Sequence, residues 1–262
     1  FVCLLKPYPI EFRIGFVSPQ VFFLRDCTSR ELVGTLALVS TFRELLVELP
    51  PSKNERFKQV VEQVGRRIAA VADAPHYDWE FRVVAADEKQ ALCFPGGKVV
   101  VFEGMLPVCL NEGGLAAVLA HEVAHATSRH SGERQTQRNL AQVGAIVVDE
   151  YTRGRSLGSQ LAVGMGYRTM AKYGLLMPYS RSHESEADQI GMLLMARAGF
   201  DPAEAVEFWK RMLAADDEPK PAEFASTHPS HEHRIADLRS MLPRARYVYQ
   251  HAPQRMGRGQ LI

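Results

Sequence analysis

His121, Glu122 and His125 are the residues whose types and spacing most plainly suggest chemistry. Two histidines four apart on a helix project from one face and can share a single metal ion. Glu122 is displaced around the helix from that line, so its carboxylate can hydrogen-bond a water on the metal instead of binding the metal itself. That is the position of a general base in hydrolysis. The apolar run Leu115–Ala120 ahead of the motif argues against a helix that merely carries surface histidines.

A catalytic zinc takes three protein ligands, so a third is needed from elsewhere. His130 follows His125 by five residues, which on a continuous helix turns it away from the metal face; it reads as a helix-end histidine. Further on, Glu184 and Asp188 stand four apart and share a helix face. One of them can ligate while the other orients a ligand histidine.

Among the elements that must position these groups, a helix is expected from Asn54 to about Ala72, where apolar residues recur at helical spacing (Phe57, Val60, Val61, Val64, Ile68, Val71). Trp79–Ala85 and Val99–Phe102 read as strands around the turn Pro95-Gly96-Gly97. Helices are expected from Glu112 to Arg129, capped by Asn111, and from Arg181 to Ala198, ending at Gly199. Asp201-Pro202-Ala203-Glu204 combines an N-cap, a first-turn proline and a capping-box glutamate before a helix at Ala203–Leu213. A final helix falls near Ile235–Leu242. The expected fold is α+β, mostly helical, with one small sheet. Residues 1–53 are set apart as an N-terminal appendage, 54–250 as the main domain and 251–262 as a tail.

The 31 basic and 30 acidic side chains leave a net charge of +1, so no global field draws this chain to nucleic acid. Apolar stretches such as Val33–Val39 and Ala145–Val148 fall short of the ~20 residues of a membrane span. Cysteines 3, 27, 93 and 109 form no C-x-x-C pair; a Cys93–Cys109 disulfide is permitted by the spacing but not demanded. The chain opens on Phe1, which suggests a removed leader or a start inside a longer reading frame.

His121-Glu122-Val123-Ala124-His125, Glu184-Ser185-Glu186-Ala187-Asp188, the stretch Phe94–Leu106 and Ser226–Arg234 together resemble family 48 of the metallopeptidases. These are the gluzincins of the HtpX, BepA and Oma type, and the chain looks most similar to the soluble bacterial envelope members. The resemblance implies a zincin-type domain in which an edge strand precedes the metal helix. It implies one zinc ion per chain held by His121, His125 and Glu184, with Glu122 as base and proton shuttle. Asp188 becomes a partner of a ligand histidine, paired in turn with Arg234. Glu186, about 200° around the helix from Glu184, is left off the metal.

His228 resembles a histidine beside the zinc that steadies the oxyanion or caps the open metal position, while His231 and His233 read as solvated loop. Lys98–Phe102 would be the edge strand on which an extended substrate lies, with Gly97, Val99, Val100 and Val101 meeting it and Gly96 and Gly97 allowing close approach. The function implied is a zinc-dependent endopeptidase of quality-control type, acting on extended or misfolded protein or peptide substrates. A bacterial periplasmic or membrane-associated envelope setting, with peripheral membrane contact, goes with it. Two other readings share these motifs: a zinc-stabilised chaperone with a closed site, and a hydrolase of small molecules.

Overall fold

The computed structural model describes residues 42, 46–47, 49–94, 96–171, 177–215 and 233–262. Eight α-helices, one 3-10 turn (Glu103–Met105) and three strands have defined bounds among them. The first helix, α1 (Glu55–Ala70), begins where the Asn54 side chain accepts from the Phe57 N–H at 3.2 Å. Its Val61, Val64 and Ile68 fall on one buried stripe, as their spacing requires.

Strands β1 (Glu80–Val84), β2 (Ala91–Phe94) and β3 (Lys98–Phe102) form one sheet in the order β1-β3-β2. β3 is parallel to β1, from Glu80 opposite Lys98 to Val84 opposite Phe102. It is antiparallel to β2, from Ala91 opposite Val101 to Phe94 opposite Lys98. The expected edge position of Lys98–Phe102 is therefore corrected: β3 is the middle strand, with both backbone edges engaged. Val99, Val100 and Val101 are fully buried, and the Gly97 carbonyl accepts from the Glu80 N–H at 2.9 Å. The sheet does carry an edge strand ahead of the metal helix, and it is β2.

One sheet face packs Phe81, Val83, Val99 and Val101 against α1 and the helix α3 (Glu112–Thr127), while Val84, Val100 and Phe102 cover the other with Phe42. A short turn, α2 (Leu106–Cys109), leads into α3. Every residue of α3 from Glu112 to Ala126 is buried, so it is a central helix, apolar all round except at Glu112 and the motif. Asn111 caps it by accepting from the Gly114 N–H at 2.8 Å. The N–H groups of Glu112 and Gly113 donate to the carbonyls of Gln260 and Arg258. The end of the chain thus satisfies the orphan donors of the metal helix, and Ile262 donates to Leu110. Residues 258–262, within the segment set apart as a tail, thus bond to the start of this helix and to Leu110.

Helices α6 (Met177–Arg197), α7 (Ala203–Ala215) and α8 (Arg234–Gln250) close the other side of α3. α6 approaches it at Gly191, where a Cβ would meet the His121 backbone N at 3.0 Å. Glycine in a helix interior costs ~1 kcal/mol against alanine, and here it lets the two motif-bearing helices touch. The capping-box role of Glu204 is not observed: its carboxylate accepts from Asn111 and Arg258 instead. Asp201 does cap α7, accepting from the Ala203 N–H at 2.9 Å. α8 continues through Pro243, eight residues past its expected end. Cys93 and Cys109 are both free thiols.

Helices α4 (His130–Thr152) and α5 (Leu157–Met170) form a hairpin of a different character. Tyr167 Oη donates to the Ala141 carbonyl at 3.0 Å and lies where a Cβ on Gly144 would be. No residue of α5 is buried, and Leu140, Val143, Ile146, Val147, Leu157, Leu161 and Met165 are exposed. No helix among the described residues is long and apolar enough to cross a membrane.

Candidate metal centre

α3 delivers His121 and His125 to one point, and α6 delivers Glu184 from across the Gly191 contact. His121 Nε2 and His125 Nε2 lie 3.1 Å apart. Glu184 Oε2 is 3.3 Å from the first and Oε1 is 3.3 Å from the second. A tetrahedral ion with bonds of ~2.0–2.1 Å spaces its ligand atoms by about 3.3–3.4 Å. The donor set and its mutual distances therefore fit a single divalent metal. Among the described residues it is the one cluster of three or more such side chains that could hold an ion. Its members are buried, Glu184 completely.

The rest of the site keeps these donors in place. His121 Nδ1 lies 3.0 Å from Asp188 Oδ1, and Asp188 accepts from Arg234 Nη2 at 2.7 Å. Arg234 is itself buried, 3.6 Å from Glu184, with its guanidinium 3.3 Å above the Trp209 ring. A cation–π seat of this kind holds a desolvated guanidinium. Burial alone would lower the His121 pKa, but the hydrogen bonds and charges of Asp188 and Glu184 outweigh it and push it up to about 9. Burial would raise that of Asp188, and the Arg234 charge and the His121 contact hold it below the usual carboxylate range. The pocket around His121 thus favours an added positive charge, whether proton or metal.

Glu122 is buried beside the cluster, and its Oε2 accepts from the Cys93 backbone N–H at 3.1 Å. The Phe102 N–H donates to the Gln90 carbonyl, so with strand alternation the backbone groups of Leu92 and Phe94 face β3 while those of Ala91 and Cys93 face outward. The outer edge of β2 therefore runs beside the motif glutamate, which takes up its Cys93 N–H. Thus His121, Glu122, His125, Glu184, Asp188 and Arg234 are gathered into one site, whereas Val99–Val101 lie in the middle strand of the sheet and Gly97 in the turn before it. His228 and His231 fall outside the described residues; His233 is exposed at the start of α8.

Two site residues escape a reading of the sequence. His130 Nδ1 approaches His125 Nδ1 at 2.8 Å, and His183 stacks on the His130 ring at 4.3 Å. The helix expected to reach Arg129 stops at Thr127, and Arg129 takes a left-handed φ of 57°. That break swings His130 back toward the ligand from which uninterrupted helix would have turned it away. Only a break signal near Ser128 could have revealed this, and neither Ser128 nor Arg129 is a glycine or proline.

The family model for peptidase family M48 matches residues 54–242. The chain is 42% identical to the mitochondrial metalloendopeptidase OMA1 of Schizosaccharomyces pombe over 71% of its own length and 53% of the relative's. It is 30% identical to the Saccharomyces cerevisiae protein of that name, over 83% of this chain and 65% of that one. It is also 30% identical to the beta-barrel assembly-enhancing protease of Escherichia coli, over 76% and 41%. The chain thus spans between two fifths and two thirds of the length of these curated relatives.

Proposed function

From the premise that the chain belongs to peptidase family M48, a metallopeptidase family, we propose that it is a zinc-dependent endopeptidase cutting extended or misfolded polypeptides. The observation that carries this is the meeting of His121, His125 and Glu184 beside the anchored carboxylate of Glu122. His121, His125 and Glu184 would hold one zinc per chain. Zinc supplies Lewis acidity to a water and to the scissile carbonyl. Glu122 takes the proton from the attacking water and returns it to the leaving amine. Asp188, held by Arg234, keeps the His121 ring oriented with Nε2 inward. His228 keeps its proposed place beside the oxyanion, or over the open metal position, by family resemblance.

The substrate strand moves from β3 to β2. A polypeptide paired with the outward backbone groups of Ala91 and with the Cys93 carbonyl would run past Glu122, which holds the Cys93 N–H, whereas a small molecule needs no such edge. This favours peptide bonds over small esters or amides. Pairing through the backbone reads little side-chain identity, which suits a quality-control protease; the names of the relatives, a metalloendopeptidase and an assembly-enhancing protease, support that role. The exposed apolar hairpin α4–α5 favours contact with a membrane surface, and the bacterial envelope is the compartment we propose.

Incubation with unfolded casein tests the reading. Cleavage that stops with a zinc chelator and returns with added zinc is the expected result. Suppressed aggregation without cleavage would turn the assignment to a zinc-stabilised chaperone.

A further inference from the structure

The two ligand histidines are held differently. His121 leans directly on the Asp188 carboxylate, but His125 has a histidine behind it. His130 is 1% exposed, and while its Nδ1 faces His125 Nδ1 at 2.8 Å, its Nε2 lies 3.3 Å from Glu186 Oε2. Glu186 is the acidic residue of the α6 motif that points away from the metal, and it is half exposed. His183 lies parallel to the His130 ring, 11° from coplanar, and its Nε2 bonds Glu133 Oε2 at 2.8 Å. The His130 ring is therefore fixed on its face by His183 and at both nitrogens by polar partners.

Proton placement follows from what each group can do. A carboxylate only accepts, so the proton between His130 and Glu186 sits on His130 Nε2. In the neutral ring that leaves Nδ1 as an acceptor, and the 2.8 Å contact then takes its proton from His125 Nδ1. His125 is left with its lone pair on Nε2, the atom facing His121 and Glu184. We propose that His130 is a positioning residue which, backed by Glu186, fixes His125 in the tautomer that presents Nε2 to the metal.

The relay differs from the Asp188 support in what it connects. His130 is the first residue of α4 and Glu133 lies in its first turn, so the root of the exposed hairpin is joined to a metal ligand. Leu157 and its neighbours on α5 are not involved. Glu186 explains why the α6 motif has two glutamates on different faces: one meets the metal, and the other meets the histidine behind a ligand.

The relay rests on the proposed metal site, and the test separates the two. Zinc affinity is measured by chelator competition on the whole chain and on His130→Ala, His130→Gln and Glu186→Gln, with the histidine tautomers of the zinc-loaded proteins read by long-range nitrogen–proton NMR. In the unaltered protein His125 should carry its proton on Nδ1. His130→Ala should weaken zinc ~10 to 100-fold, the usual range for a group behind a ligand. His130→Gln should recover part of the loss, because its amide oxygen can still accept from Nδ1. Glu186→Gln changes a half-exposed side chain, so it keeps the fold and should weaken zinc in the same direction by less. Unaltered protein that binds zinc, with all three variants binding equally well, would overturn the relay alone. Unaltered protein that binds no zinc would overturn the metal site and the relay with it.

Discussion

The metal centre and the α4–α5 hairpin treat the two kinds of side chain in opposite ways. Around α3, charged groups are buried: Glu122, Glu184, Asp188 and Arg234 are each under 10% exposed. Along the hairpin, apolar groups are in the open: Ile146 is 67% exposed and Leu157 71%. Both arrangements cost stability when taken alone, since buried charge must be desolvated and exposed apolar surface must be hydrated. In the first region the charges offset one another through short contacts and give a cation-binding pocket. In the second nothing among the described residues covers the apolar face. The first departure forms the candidate metal site, and the second is the surface proposed above for membrane contact.

The difference can be tested from both ends, and the largest effect is expected at the ligands. Glu184→Gln should abolish stable zinc binding, because a neutral amide replaces the only anionic ligand; dialysis followed by elemental analysis reads it. Zinc retained there, and lost instead in Glu186→Gln, would reassign the third ligand. Arg234→Ala removes the cation between two buried carboxylates and should cost ~3–5 kcal/mol in denaturant unfolding. A loss below ~1 kcal/mol would show that water replaces the guanidinium and that the centre is less closed than its burial implies. Leu119→Ala, at the fully buried centre of α3, should cost ~2–5 kcal/mol. Ile146→Ala in the hairpin should stay within about 0.5 kcal/mol, as exposed substitutions do. If Ile146 proved as costly as Leu119, the hairpin face would be covered in solution, and the two regions would not differ in this way. Smallest of all, Ile146→Lys with Leu161→Lys should leave cleavage of a short peptide unchanged while reducing flotation with lipid vesicles.

The metal helix is legible in the sequence because its chemistry and geometry coincide: residues four apart on one helix return to the same face, which pairs His121 with His125 and Glu184 with Asp188. The capping residues Asn111 and Asp201 are legible for a similar reason, since each obeys the local rules of one turn. Relations that depend on how the chain leaves an element are not. β2 is four residues, Ala91-Leu92-Cys93-Phe94, too short to show alternation, and without it neither the sheet order nor the true edge can be read. His130 reaches the site through one left-handed residue, Arg129, that no glycine or proline marks. Glu204 suits its own helix end by local rules, but the final residues of the chain, far off in sequence, claim its carboxylate through Arg258. At β2 and Glu204 a long-range contact decides what a local preference leaves open or gets wrong.

The central claim is that Glu122 acts on water and not on the metal. Glu122→Gln keeps the side-chain oxygen that accepts from the Cys93 N–H, so the local fold should hold. Elemental analysis and casein cleavage, measured on the same preparation, test the claim most directly. About one zinc per chain with cleavage lowered ~10²-fold or more, in the range of a lost general base, is the predicted result. Zinc lost together with activity, or cleavage that survives the substitution, would contradict it.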